Sequence, residues 1–236
     1  METPPDRKTE KSTADETTPI TPPVSRIENE KALWKTRGIE DVFFQREAQV
    51  TWWTVLGGIA VAALLTQFEA VLTALKAGHW IYTLYFITTC LVIVNSWVQT
   101  SWGSLVLRWP ISMPSSLIGF FQGLFLSLTA LSVVHTVNWF GAIFLVIFAA
   151  VLNQLYFKKK GAWVSFPEDM IERLNRGIAI YLVFMVFAGV ACLHLYLFPS
   201  AIAEIGYGII TFLASCLALL IQHIGMSKEK KRMGIA

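Results

Sequence analysis

The sequence has very few charged side chains over most of its length. Asp, Glu, Lys and Arg make up only 15% of its 236 residues, whereas they make up about a quarter of a soluble domain. None of them occurs from 77 to 107, and Arg108 is the only one from 77 to 157. Because about 20 apolar residues cross the ~30 Å hydrocarbon core of a bilayer, these stretches predict membrane-spanning segments and exclude an ordinary soluble domain.

Cysteine is scarce as well, and recognised catalytic motifs are missing. Cys90, Cys192 and Cys216 lie in apolar runs at separations that match no metal site, so we expect neither a disulfide nor a cysteine-bound metal. The sequence has no HExxH zinc helix, no G-x-S-x-G elbow and no phosphate-binding glycine loop. We therefore expect a protein without enzymatic activity and without a nucleic-acid partner, while the sequence leaves any cofactor or metal unknown.

The apolar runs are long and continuous, without the inside/outside alternation of membrane barrel strands. Backbone polar groups inside a bilayer must then be satisfied by helices. We predict an all-α, polytopic membrane protein with six transmembrane helices in three tight hairpins. The predicted spans are 52–75, 80–102, 115–135, 138–157, 177–198 and 201–224.

The segments outside this transmembrane domain, placed at 51–225, are polar. Residues 1–25 are rich in proline and threonine and cannot bury enough apolar surface to fold, so we expect a disordered tail. Residues 26–50 mix apolar and charged side chains, as an amphipathic juxtamembrane segment does. A similar short helix is predicted after Pro167, and residues 226–236 form a basic tail.

The basic residues predict the orientation. Lys and Arg crowd the tail before the first span, the two longer connections and the C-terminal end, whereas the three short hairpins hold only Lys76. Because loops rich in Lys and Arg stay on the cytoplasmic side, both termini should be cytoplasmic. The expected location is a plasma membrane or a bacterial inner membrane.

Three titratable residues in the spans fall at one predicted depth. Glu69, His194 and Glu204 all come out close to the outer surface when the helical rise of about 1.5 Å per residue is applied. Carboxylates and imidazoles at that level suit a proton-linked or metal-binding site. The alternative is that these side chains sit at the headgroup boundary and reach water by snorkelling.

A second polar layer is predicted nearer the cytoplasm. Asn95, Gln122 and Asn153 lie on three different spans, with Gln99 and Gln154 nearby. Amide side chains at this depth commonly hydrogen-bond between helices. They could equally line a polar pathway through the bundle.

Two further features have simple structural explanations. Arg108 and Trp109 lie at the inner interface and suit contact with a lipid headgroup, or ordinary interfacial anchoring. Residues 205–208 resemble the glycine-tyrosine-glycine core of a potassium-channel filter. Glu204, however, stands where that family has a threonine, so glycines within a packed helix are expected there instead.

These observations favour a non-enzymatic accessory or scaffold subunit within the membrane. The scarcity of buried charge, the short loops and the lack of a soluble domain all suit that role. The alternative is a small transporter or channel with a polar site near the outer face. The expected partners are the lipid bilayer and either a second copy of the chain or another subunit of a membrane complex.

Overall fold

The computed structural model describes residues 40–105, 113–159 and 168–232, and these ranges are helical apart from short turns. The helices are α1 Glu40–Thr66, α2 Phe68–Lys76, α3 Ile81–Leu105, α4 Met113–Leu131, α5 Thr136–Lys159, α6 Glu168–Leu197 and α7 Ala201–Arg232. Six stretches are long and apolar enough to cross a membrane: Val50–Lys76, Ile81–Ser101, Pro114–Leu131, Thr136–Lys159, Ile171–Leu197 and Ala201–Lys228. The predicted all-α fold with six spans is confirmed, and the protein is a multi-pass membrane protein.

Some predictions fall outside the described residues, namely the tail at 1–25, the first part of the segment 26–50, and the contact of Arg108 and Trp109 with lipid. The described parts of the interfacial segments continue into the spans. α1 runs from Glu40 into the first span, and α6 runs from Glu168 through the fifth without an intervening proline. α7 likewise continues to Arg232, so helix extends into the predicted basic tail.

The first span is interrupted where α1 meets α2. The Gln67 N–H donates to the carbonyl of Leu64, three residues back, at 3.0 Å. One residue earlier, the Thr66 hydroxyl donates to the carbonyl of Ala63 at 2.6 Å. Both bonds reach three residues back instead of the four of a regular α-helix, and they coincide with the break.

The helices do not pack simply in chain order. α1 lies against α3 and α4, α4 against α5, and α5 against α6, while α7 packs mainly on α3. α3 is therefore central. We call the end with the three short connections the hairpin end, and the end at which α3 finishes and α4 begins the loop end.

Two glycines allow a close contact between α1 and α4. A Cβ atom added to Gly123 on α4 would lie 2.6 Å from Cδ1 of Leu56 on α1, so only glycine lets the two helices come so near. Gly119, one turn earlier, packs on the ring of Trp53 in the same way. The four-residue spacing on α4 thus serves helix packing.

Candidate functional site

A cavity of about 90 Å³ lies inside the bundle between α3, α5, α6 and α7. It extends from the middle of the bundle toward the loop end. Its lining is mostly apolar, but α3, α4, α6 and α7 also contribute polar side chains: Asn95, Ser96, Gln99, Gln122, Tyr181, Thr211 and Ser215. None of the described residues that line it is Asp, Glu, Lys, Arg or His. The cavity therefore offers hydrogen-bonding groups without a charge.

Hydrogen bonds order part of this lining. Gln99 Nε2 donates to Tyr181 Oη, which ties α3 to α6. Thr211 Oγ1 donates to the Tyr207 carbonyl at 2.8 Å, and Ser215 Oγ donates to the Thr211 carbonyl at 2.9 Å. Because both hydroxyl hydrogens are engaged with the helix backbone, the free lone pairs of Thr211 and Ser215 remain as acceptors.

Asn95 lies one turn before Gln99 on α3. Its Oδ1 atom is buried and has no hydrogen-bond partner among the described residues. A buried acceptor without a partner costs about 1–3 kcal/mol. A bound molecule that donates a hydrogen bond to Asn95 Oδ1 would remove this cost.

The predicted amide layer is divided by the structure. Asn95 and Gln122 line the cavity together. Asn153 on α5 lies outside that lining, and its Oδ1 atom is buried without a partner in the described part of the chain. Gln99 forms the interhelical bond that the layer was expected to provide.

Sequence reasoning missed Tyr181, Thr211 and Ser215 as lining residues. Hydroxyl side chains are common in spans because they can bond to their own helix, so Thr and Ser give little signal. Tyr181 could have been found from the sequence, since it lies near the start of the predicted fifth span. This places its hydroxyl on the loop-end side of the membrane, where the amide layer was also predicted.

An aromatic layer separates the cavity from the hairpin end. The rings of Tyr85 on α3 and Trp139 on α5 stack with centroids 4.3 Å apart, and Phe140 meets Trp139 edge-on at 5.0 Å. All three side chains are 0% exposed. Trp139 Nε1 also donates to Thr89 Oγ1 at 2.9 Å, so the layer is both dry and hydrogen-bonded.

Gly208 brings α7 into contact with this layer. A Cβ atom at this position would lie 2.7 Å from Cδ1 of Ile81 and 2.9 Å from Cε1 of Tyr85. Gly206, in contrast, has open space around it. Residues 205–208 lie within the continuous helix α7, so the predicted helical glycines are confirmed and Gly208 is the one that packs.

A polar cluster lies beyond the aromatic layer, at the hairpin end. Thr136 Oγ1 donates to Glu204 Oε1, joining α5 to α7. Tyr85 Oη donates to the backbone carbonyl of Glu204 at 3.3 Å, joining α3 to α7. Glu204 thus connects the ends of three helices.

His194 belongs to the same end of the bundle, whereas Glu69 stands apart. His194 Nδ1 lies 3.3 Å from Tyr207 Oη, and the ring of Tyr207 also contacts Phe140 and Phe187. Glu69 is exposed on α2. The described residues contain no group of three His, Cys, Asp or Glu side chains placed to hold a metal ion.

The fold and the site define a six-span membrane protein with an uncharged internal cavity that several polar side chains line. No protein family, no curated protein and no solved structure significantly matches the chain. Its function must therefore be argued from the cavity and its surroundings.

Proposed function

We propose that the protein is a small transporter that binds an uncharged, hydrogen-bonding solute in the cavity between α3, α5, α6 and α7. The observation that carries this proposal is the cavity lining. Polar side chains inside a membrane are costly and mark substrate pathways when they face a shared space. Here Asn95, Gln122 and Tyr181 do so from three different helices.

The lining supports an uncharged solute. Its described residues provide amide and hydroxyl groups but no ionised side chain. A charge placed in such surroundings without a partner would cost many kcal/mol. Amides and hydroxyls, in contrast, can exchange hydrogen bonds with a neutral solute at little cost.

The aromatic layer favours a transporter over an open channel. Tyr85, Trp139 and Phe140 fill the space between the cavity and the hairpin end without exposed surface. A solute can pass only if these rings move. Transport would then alternate between this state and one in which the hairpin end opens.

The positions of the basic residues support cytoplasmic termini and a plasma membrane or bacterial inner membrane. With that orientation the hairpin end faces outward, and the cavity lies toward the cytoplasmic side. The hydrogen bonds that Thr136 and Tyr85 donate to Glu204 then hold the outer end shut, and they must break before the solute can leave.

The test is the accessibility of the cavity from each side of the membrane. Ser215→Cys is introduced after Cys90, Cys192 and Cys216 have been replaced by alanine, and sealed vesicles of both orientations are treated with a membrane-impermeant maleimide. Reaction from both sides is expected of a transporter. Leu217→Cys is the matched control, because Leu217 is 52% exposed on the lipid face of α7 and should not react. A Ser215→Cys thiol that reacts from one side only, or from neither, would overturn the proposal.

A second candidate function is the accessory or scaffold subunit, which is favoured by the exposure of α7. Only 6% of its most apolar stretch is buried, and Leu213, Leu217 and Leu220 are each more than half exposed. A partner helix could cover this face. The test is purification in mild detergent: a stoichiometric heteromeric complex that is lost on Leu217→Trp supports this role, and a stable isolated protein contradicts it.

A further inference from the structure

The walls of the cavity are not equally tight. α5 packs closely on α6, and α7 packs closely on α3. α3 and α6 are joined by Gln99 and Tyr181. α6 and α7 follow each other in the chain, yet they come close at few positions. The wall between α6 and α7 is therefore looser than the walls that α5 forms with α6 and α3 forms with α7.

The ring contacts between these two helices lie in the hairpin-end half, where Tyr207 meets Phe187 and His194. Toward the loop end, both helices instead line the cavity. There α7 presents Ala214, Ser215 and Ala218, whose short side chains leave room. The two helices thus meet at one end and frame an opening at the other.

The surface around this opening is apolar. Val183 on α6 is 67% exposed, and Leu213 and Leu217 on α7 are 58% and 52% exposed. Each is adjacent in sequence to a residue that lines the cavity. In a bilayer such side chains face lipid tails, so a molecule at the opening has to be apolar over most of its length.

The inner end of the opening, in contrast, presents hydrogen-bond acceptors to a ligand. Asn95 Oδ1 is an acceptor without a partner among the described residues, and the hydrogens of Thr211 and Ser215 are committed to backbone carbonyls. A ligand group that donates a hydrogen bond therefore meets the buried acceptor of Asn95 and the free lone pairs of Thr211 and Ser215. The described lining residues include no Lys, Arg or His, so the cavity suits an uncharged hydroxyl-bearing chain end and offers no cationic partner to a phosphate headgroup.

We infer that the cavity takes an uncharged single-chain amphiphile with a hydroxyl group, which enters from the bilayer between α6 and α7. Its hydroxyl donates to Asn95, and its chain lies in the gap between the two helices. This inference rests on the proposed function only in using the same cavity. It names the ligand class and the route of entry.

The experiment measures photolabelling of the full-length protein in lipid nanodiscs. The probe is a long-chain alcohol with a photoreactive diazirine in its chain, compared with the methyl ether and the carboxylate of the same chain. Labelled peptides are quantified by mass spectrometry. The alcohol should label the lining segments of α6 and α7 about five-fold more than the ether, which is the value of one neutral hydrogen bond, and more than the carboxylate.

Two variants on α7 test the route of entry. Ala218→Trp fills the opening from the cavity side and should abolish the preferential labelling. Leu220→Trp adds the same bulk on the exposed face of α7 opposite the cavity lining and should leave it unchanged. Thermal unfolding of both proteins in detergent verifies that each is folded.

Asn95→Leu tests the hydrogen bond without adding bulk at the opening. It should bring labelling by the alcohol down to that by the ether. Equal labelling by all three probes in the wild-type protein, or full competition by glycerol from water, would overturn the inference. An equal loss in Ala218→Trp and Leu220→Trp would overturn the route.

The outcome is separable from that of the transport proposal. Preferential alcohol labelling with a Ser215→Cys thiol that reacts from only one side would mean a binding protein for amphiphiles that does not alternate. A thiol that reacts from both sides, with equal labelling by all probes, would mean a transporter of another solute.

Discussion

The two halves of the bundle differ in how many of their buried polar side chains are hydrogen-bonded. At the hairpin end, Trp139 is paired with Thr89, and Tyr85 with the backbone of Glu204. Among the described residues, the buried side-chain oxygens without a partner lie mainly toward the loop end: Asn95, Ser101, Asn153, Gln154 and Gln222, against Thr83 near the hairpin end. The hairpin-end half thus pairs most of its described buried polar groups, whereas the loop-end half leaves several acceptors unpaired, and Asn95 among them lines the cavity.

The largest expected effect comes from breaking the hairpin-end half. Trp139→Ala removes a fully buried ring and should lower the free energy of unfolding by about 3–5 kcal/mol. It should also open the cavity toward the hairpin end. Thermal unfolding in detergent measures the first effect, and maleimide reaction of the Ser215→Cys thiol measures the second. The control is Trp80→Ala at the same end of the bundle, because Trp80 is 44% exposed; a similar loss in both variants would mean that the burial of Trp139 does not set the stability of this half.

A smaller effect is expected where α7 meets the aromatic layer. Gly208→Ala places a methyl group against Ile81 and Tyr85 and should cost about 1–3 kcal/mol by overpacking. Gly206→Ala, two residues earlier, enters open space and should not destabilise. The melting temperatures of the two variants compare the positions directly, and equal values would mean that α7 does not depend on Gly208 for its position.

In the loop-end half, the bond between Gln99 and Tyr181 should matter less. A double-mutant cycle of Gln99→Leu and Tyr181→Phe should give a coupling free energy of about 0.6 kcal/mol, the average for interhelical hydrogen bonds in membrane proteins. Denaturant unfolding of the four proteins provides the measurement. A coupling as large as the cost of Trp139→Ala would show that this half is as tightly built as the other.

The smallest effect is predicted for Glu69. Its side chain is exposed, so Glu69→Gln should leave the melting temperature unchanged. Glu204→Leu is the informative counterpart, because it removes the acceptor of the Thr136 hydroxyl and should destabilise measurably. If Glu69→Gln also destabilised the protein, the two carboxylates would share a role that the described contacts do not reveal.

The fold was predictable because the membrane leaves few alternatives. A charge-free run of this length can only be helical, and the short hairpins set the alternation of direction. What could not be predicted is which helices become neighbours. α7 packs on α3 and only loosely on its hairpin partner α6, and single-sequence periodicity carries no information on that choice.

The same limit applies to the site. Depth along a helix placed Asn95 and Gln122 at one level, and the structure finds both at the cavity. Depth also grouped Glu69 with His194 and Glu204, although Glu69 lies exposed on α2. Two side chains meet only if they share a depth in the membrane and their helices are rotated so that both side chains face each other. The sequence gives an estimate of the depth but not of the rotation.

The packing of α7 on α3 also determines when the protein can finish folding. Tyr85 and Glu204 are 119 residues apart, and α7 leaves the ribosome only after the five spans that precede it. Until then the Tyr85 hydroxyl has no Glu204 carbonyl to bond, and the side of α3 that will receive Gly208 faces lipid. Insertion of the earlier spans is therefore not the end of biogenesis: the packing on α3 forms only after α7 has been synthesised, and a chain that stops before α7 leaves this side of α3 uncovered.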